Sequence, residues 1–133
     1  YWIELLTSLT GAFTIIQLGD ENEIEFENSV RLAGKLDLRE SISVLEKCSL
    51  FIGGVSFLMH AAASVGVKSV IIYGGRETPS NSGYSQNINL FERMECGPCW
   101  IHEEDGEFCS NELDCMKNIK PDLVYLEIMK LLT

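Results

Sequence analysis

Short apolar runs rich in β-branched residues alternate with stretches of helical periodicity, and this alternation limits the possible folds more than any other feature of the chain. The runs at 13–18 (FTIIQL), 49–52 (SLFI) and 69–73 (SVIIY) are nearly continuous in apolar character, as in strands buried on both faces of a parallel sheet. A weaker strand is predicted at 30–33 and a last short one at 88–91. Between them, Trp2, Leu5, Leu6 and Leu9 share one helical face, with Gly11 placed to end that helix. Asp37 and Glu40 have capping-box spacing and open a helix that ends near Lys47, with Leu38, Ile42 and Leu45 as its buried stripe. Ser56 can cap a helix running through Val65 and closed by Gly66, and Pro121 opens a final helix with Val124, Ile128 and Leu131 inward. Strands alternating with helices of about ten residues predict an α/β fold, a Rossmann-like parallel sheet with helices on both faces.

The 133 residues suit one domain, 1–133. The helix at the N-terminus has no strand before it, whereas a βαβ crossover needs one on each side, so the chain is expected to belong to something longer. Ten Lys and Arg against twenty Asp and Glu give a net charge of -10, which repels phosphate backbones and argues against nucleic acid or an anionic membrane as partner. No run approaches the roughly 18 apolar residues of a membrane span, and no secretory leader is visible, so a cytosolic protein is expected. Residues 20–27 carry five carboxylates and read as a solvated acidic loop or a short edge strand. Residues 76–87 are dense in turn formers and read as a long surface loop, and 96–115 as an irregular Cys-rich loop.

In an open parallel sheet, ligands bind beyond the carboxyl ends of the strands, where loops meet helix N-termini. Gly53, Gly54, Val55 and Ser56 occupy such a place. Glycines there allow close backbone approach, and first-turn amides with the helix dipole favour a diphosphate. The same pair also suits a plain tight strand-to-helix turn. His60 lies one turn further, on the Ser56 face, either reaching that ligand or bonding a backbone carbonyl. Ala61, Ala62 and Ala63 suit close helix-to-sheet packing, and His102 reads as a solvated surface residue. Five cysteines is an odd number. Cys96, Cys99, Cys109 and Cys115 either supply four thiolates to a structural zinc or pack as reduced thiols, and Cys48 reads as a small buried hydrophobe.

The ordered series LAGKLDLRE (32–40), LFIGGVSFLMHAAASVGV (50–67), VIIYGG (70–75), CGPC (96–99) and CMKNIKPDLV (115–124) resembles the C-terminal half of glycosyltransferase family 9, the ADP-heptose:lipopolysaccharide heptosyltransferase-like enzymes. The resemblance implies a GT-B architecture in which this half binds the nucleotide-sugar donor, with ADP-sugar as the expected nucleotide. The N-terminal acceptor domain, the catalytic aspartate and the first strand would precede Tyr1, so the fragment alone would be inactive. The implied reaction is an inverting transfer to a lipopolysaccharide or related glycan acceptor at the inner face of the bacterial inner membrane, with no cofactor needed for catalysis. By the same resemblance Ser56 and His60 flank the donor diphosphate, Glu23 contacts the nucleoside and Leu36 lies against the base. Val55 stands where the family motif has aspartate, and Phe57 where it has glycine. Two alternatives follow, a degenerate non-catalytic GT-B-like binding module and a zinc-stabilised interaction domain.

Overall fold

The computed structural model describes residues 1–100 and 108–133. In chain order the elements are α1 (Trp2–Leu9), β1 (Ile15–Gln17), β2 (Ser29–Arg31), α2 (Leu38–Leu45), β3 (Phe51–Gly54), α3 (Phe57–Ser64), β4 (Ser69–Ile72), α4 (Pro79–Ser82), β5 (Ile88–Leu90), α5 (Asp114–Lys117) and α6 (Pro121–Leu132). The strand pairs among the described residues are all parallel, as the alternation predicts. They form two sheets, β1-β2 and β3-β4-β5, instead of the single sheet expected.

β4 organises the core because its side chains alternate between two helical layers. Val70 and Ile72 point into a cluster with Leu5, Leu9, Val124 and Ile128 from α1 and α6. Ile71 and Tyr73 point the other way, against Met59 of α3. A third cluster joins α2 to α3 through Leu45, Ala61 and Ala62. Helices therefore cover both faces of this sheet. Ala61 and Ala62 are 4% and 0% exposed, so short side chains let α3 sit close against its neighbours.

The capping box forms as read: Asp37 Oδ1 accepts from the Glu40 amide at 2.8 Å, and Glu40 Oε2 accepts from the Asp37 amide at 2.9 Å. α3 ends in a turn where Gly66 has φ +74° and Val67 N–H bonds Ala62 C=O, a left-handed geometry that favours glycine. α6 begins at Pro121, with Val124 and Ile128 buried and Leu131 packed at the edge of their cluster.

Several elements differ from expectation. β1 covers only three residues, and Ile16 is 37% exposed; among the described residues β2 is its only strand partner. α2 stops at Leu45, and Leu38 is exposed because the capping turn holds it outside the α2-α3 contact. Gly53 and Gly54 finish β3 and do not form the turn, which falls on Val55 and Ser56. The 76–87 stretch holds a short helix, α4, opened by Thr78 and Pro79. The Cys-rich stretch runs into α5, whose Asp114–Lys117 turn includes the buried Cys115. Cys48 is only half-buried, its thiol donating to Val44 C=O. No helix among the described residues is long and apolar enough to cross a membrane.

Candidate functional site

The strand-to-helix turn at the end of β3 joins Val55 and Ser56 to the start of α3. Ser56 is the N-cap of α3 in extended conformation, but its hydroxyl makes no cap bond, so the capping role read from sequence is positional only. The first amides turned back into the helix are those of Met59 and His60, both bonding Ser56 C=O. The amides of Phe57 and Leu58 have no acceptor among the described residues, which leaves two N–H donors and a hydroxyl at a helix N-terminus. Gly54 has ordinary clearance, with Ile72 C=O 3.7 Å from a Cβ built there. Gly53 is different: a Cβ would lie 2.6 Å from the Phe51 ring, so this glycine makes room for that ring and the space beside it is already filled.

The two departures from the family motif have separate consequences. Val55 packs inward, against the cluster of Met59, Ile71 and Tyr73. Phe57 is 44% exposed and is absent from the apolar clusters, so its ring is not drawn into the core. His60 is exposed, and its Nδ1 lies 2.9 Å from the Tyr84 hydroxyl, not at a backbone carbonyl.

Glu23 and Leu36 sit on a second rim, at the end of β1 and β2. The acidic 20–27 segment is a loop whose backbone is pinned from below. Buried Gln17 donates to Ile24 C=O at 2.7 Å and accepts from Phe26 N–H at 3.4 Å. Arg31 Nη2 donates to the carbonyls of Glu21 (3.0 Å) and Glu23 (2.9 Å). Gly34, at φ +71°, lies so close that a Cβ would be 2.7 Å from Glu21 Cα, and its amide bonds Gly19 C=O. Two hydrogen bonds from Asn22 hold the Asp20 carboxyl below its ordinary pKa. The Glu23 side chain folds back towards Gly19, and Leu36 is half-buried. Among the described residues no hydrogen bond joins this rim to the 53–60 turn. Gln17 and Arg31 were not singled out from sequence, although a polar Gln inside an apolar strand run is a visible signal.

A cleft of about 520 Å³ lies elsewhere, between Gly75, Thr78, Phe91, Cys96, Cys99 and Cys115. A Cβ on Gly75 would meet Cys99 Sγ at 2.7 Å and Cys115 Sγ at 3.6 Å, so the glycine makes a cradle for two sulfurs. Burial pushes the Cys115 thiol pKa up, neighbouring Cys99, Cys109 and Cys96 add to that, and a Gly75 backbone hydrogen bond partly opposes it. The thiols are near enough to feel one another's charge, yet no three His, Cys, Asp or Glu side chains among the described residues are gathered at one point as a metal cage. His102 lies outside the described residues.

The model of glycosyltransferase family 9 (heptosyltransferase) matches residues 17–107. Lipooligosaccharide heptosyltransferase 2 of Campylobacter jejuni subsp. jejuni serotype O:6 is 30% identical over 122 residues, which cover 90% of this chain and 36% of that protein. Among solved structures, the iron-containing dodecameric glycosyltransferase TibC of enterotoxigenic E. coli H10407 superposes with a TM-score of 0.79 at 22% identity, covering 98% of this chain and 39% of that one. TibC has also been solved in complex with ADP-D-β-D-heptose, and that structure superposes at 0.76 with 23% identity over 98% of this chain and 40% of that one. E. coli ADP-heptose LPS heptosyltransferase II superposes at 0.73 with 18% identity, again over 98% and 40%. The chain thus spans about two fifths or less of the length of these relatives.

Proposed function

Because this chain belongs to glycosyltransferase family 9, we propose that it is the donor-binding half of a GT-B enzyme that transfers a sugar, of the heptose class, from an ADP-sugar to a lipopolysaccharide-type or related glycan acceptor. The observation that carries this reading is the turn at the start of α3, where the Phe57 and Leu58 amides have no acceptor among the described residues, the Ser56 hydroxyl makes no cap bond and His60, on the first turn, is exposed. Those donors suit a diphosphate, and they act most strongly as the glycosidic bond breaks and negative charge grows on the leaving diphosphate. Glu23 and Leu36, on the pinned β1-β2 rim, take the nucleoside in this reading. The base that deprotonates the acceptor, and the acceptor itself, belong to the N-terminal domain of the GT-B pair. The family match and the heptosyltransferase relative favour this reading over a degenerate non-catalytic GT-B-like binding module.

We place the protein in the cytoplasm, at the inner face of the bacterial inner membrane. Five free cysteines support a reducing compartment. We also propose that Cys96, Cys99, Cys109 and Cys115 take up a structural metal ion, zinc or iron, with no part in the transfer step. The Gly75 cradle for Cys99 and Cys115, with Cys96 and Cys109 in the same stretch, suits a thiolate-bound cation, and binding would have to draw the sulfurs together. Metal analysis of protein purified without added metal is expected to give about one equivalent, and a value near zero removes the proposal.

Calorimetric titration with an ADP-sugar tests the function. For the full polypeptide that carries this chain, Ser56→Ala is expected to weaken binding by about fivefold or more through one lost charge-assisted hydrogen bond. Unchanged affinity in Ser56→Ala and His60→Ala together would remove the α3 turn as the diphosphate seat.

A further inference from the structure

His60 offers two ring nitrogens, and a neutral imidazole carries its proton on only one of them. Its Nδ1 is engaged by the Tyr84 hydroxyl at 2.9 Å, the two rings meeting edge to face with centroids 5.7 Å apart. That leaves Nε2 as the ring atom open to a ligand on an exposed side chain. A phenol is the stronger proton donor of the pair and an sp² imidazole nitrogen the stronger acceptor, so this contact favours a hydroxyl that donates to Nδ1 with the ring proton on Nε2.

Tyr84 is held in place without help from its hydroxyl. Its carbonyl accepts from Asn89 Nδ2 at 3.2 Å and from the Asn87 amide at 3.1 Å. Two residues on, Gln86 Nε2 donates to Ala63 C=O of α3 at 3.1 Å. The segment between α4 and β5 is therefore tied both to itself and to the helix that carries His60. An anion at the start of α3 is attracted by an Nε2–H and repelled by an Nε2 lone pair, so the tautomer decides whether His60 helps or hinders.

From this geometry we propose that Tyr84 is a positioning residue that holds His60 in the tautomer with Nε2–H directed to the diphosphate of the donor. The proposal rests on the donor-binding reading of α3, and the test separates the two. Tyr84→Phe keeps the ring, its edge contact and the Gln86 tether, and removes only the hydroxyl. In the full polypeptide at pH 8, imidazole ¹⁵N spectra are expected to show His60 almost wholly as the Nε2–H tautomer, and Tyr84→Phe to shift it to a mixture. ADP affinity should fall about three- to tenfold in Tyr84→Phe, the size of one hydrogen bond, and no further when that change is added to His60→Ala. An unaltered tautomer in Tyr84→Phe overturns the proposal, whatever happens to affinity, because a purely structural role would leave the nitrogen shifts in place. A tautomer shift with no loss of ADP affinity in either Tyr84→Phe or His60→Ala upholds the link between the two residues and overturns the role of His60 in binding.

Discussion

The β3-β4-β5 body and the β1-β2 pair are both parallel and both end in loops assigned to the donor, yet different forces hold them. In the body, Val70, Ile71 and Ile72 are at most 2% exposed, and apolar packing on both faces fixes where the α3 turn stands. In the pair, Ile16 and Val30 are exposed, and the loop is fixed by Gln17, Arg31 and the close pass over Gly34. The diphosphate seat proposed at the α3 turn needs a rigid base, which packing supplies. The rim proposed for the nucleoside is set by polar bonds from side chain to backbone, each modest in net energy, and can therefore change residue by residue with little effect on the core.

Matched truncations sharpen this contrast most. Ile71→Ala is expected to destabilise the fold by about 2–5 kcal/mol, because it opens a cavity between α3 and the sheet, while Ile16→Ala should stay within about 0.5 kcal/mol. Urea unfolding of the two variants measures the difference, and equal losses would break the comparison. Arg31→Ala removes both bonds that pin Glu21 and Glu23 and is expected to cost about 1–2 kcal/mol. Hydrogen exchange should then accelerate across 20–27 and leave β4 unchanged.

Asp37→Ala deletes the box at the start of α2 and should cost about 1 kcal/mol, read as a lower thermal midpoint. The smallest effect concerns pH. The Asp20 carboxyl has its pKa lowered in the folded chain, so its bonds to Asn22 contribute above the unfolded aspartate pKa of about 3.9 and are lost as pH falls through the lower folded value. An acid titration of the Asn22 amide resonance should show that local change while β4 resonances stay put.

What could be read from sequence follows the same division. Continuous β-branched runs and the Asp37–Glu40 spacing report on local backbone and burial, so the β4 strand, the cap of α2, α3 and α6 were legible. The split into two sheets was not, since no residue of β1 or β3 encodes which strand lies beside it. Gly53-Gly54 looked like a turn because glycine pairs usually are, whereas Gly53 is needed by the Phe51 ring beside it. The family motif drew attention to Ser56 and His60, but the partner of His60 stands 24 residues further along, in a segment whose composition suggested only a loop. Phe57 illustrates the limit most directly, because the letter alone cannot say whether an aromatic ring is buried in the core or left 44% exposed.

The central claim is that the start of α3 receives the donor diphosphate, and amide NMR of the full polypeptide during an ADP titration tests it most directly. The expected result is saturable movement of the Ser56, Phe57 and Leu58 amides, with Val70 to Ile72 nearly still. Silent α3 amides at millimolar ADP, or changes confined to the cleft between Gly75 and Cys115, would contradict it.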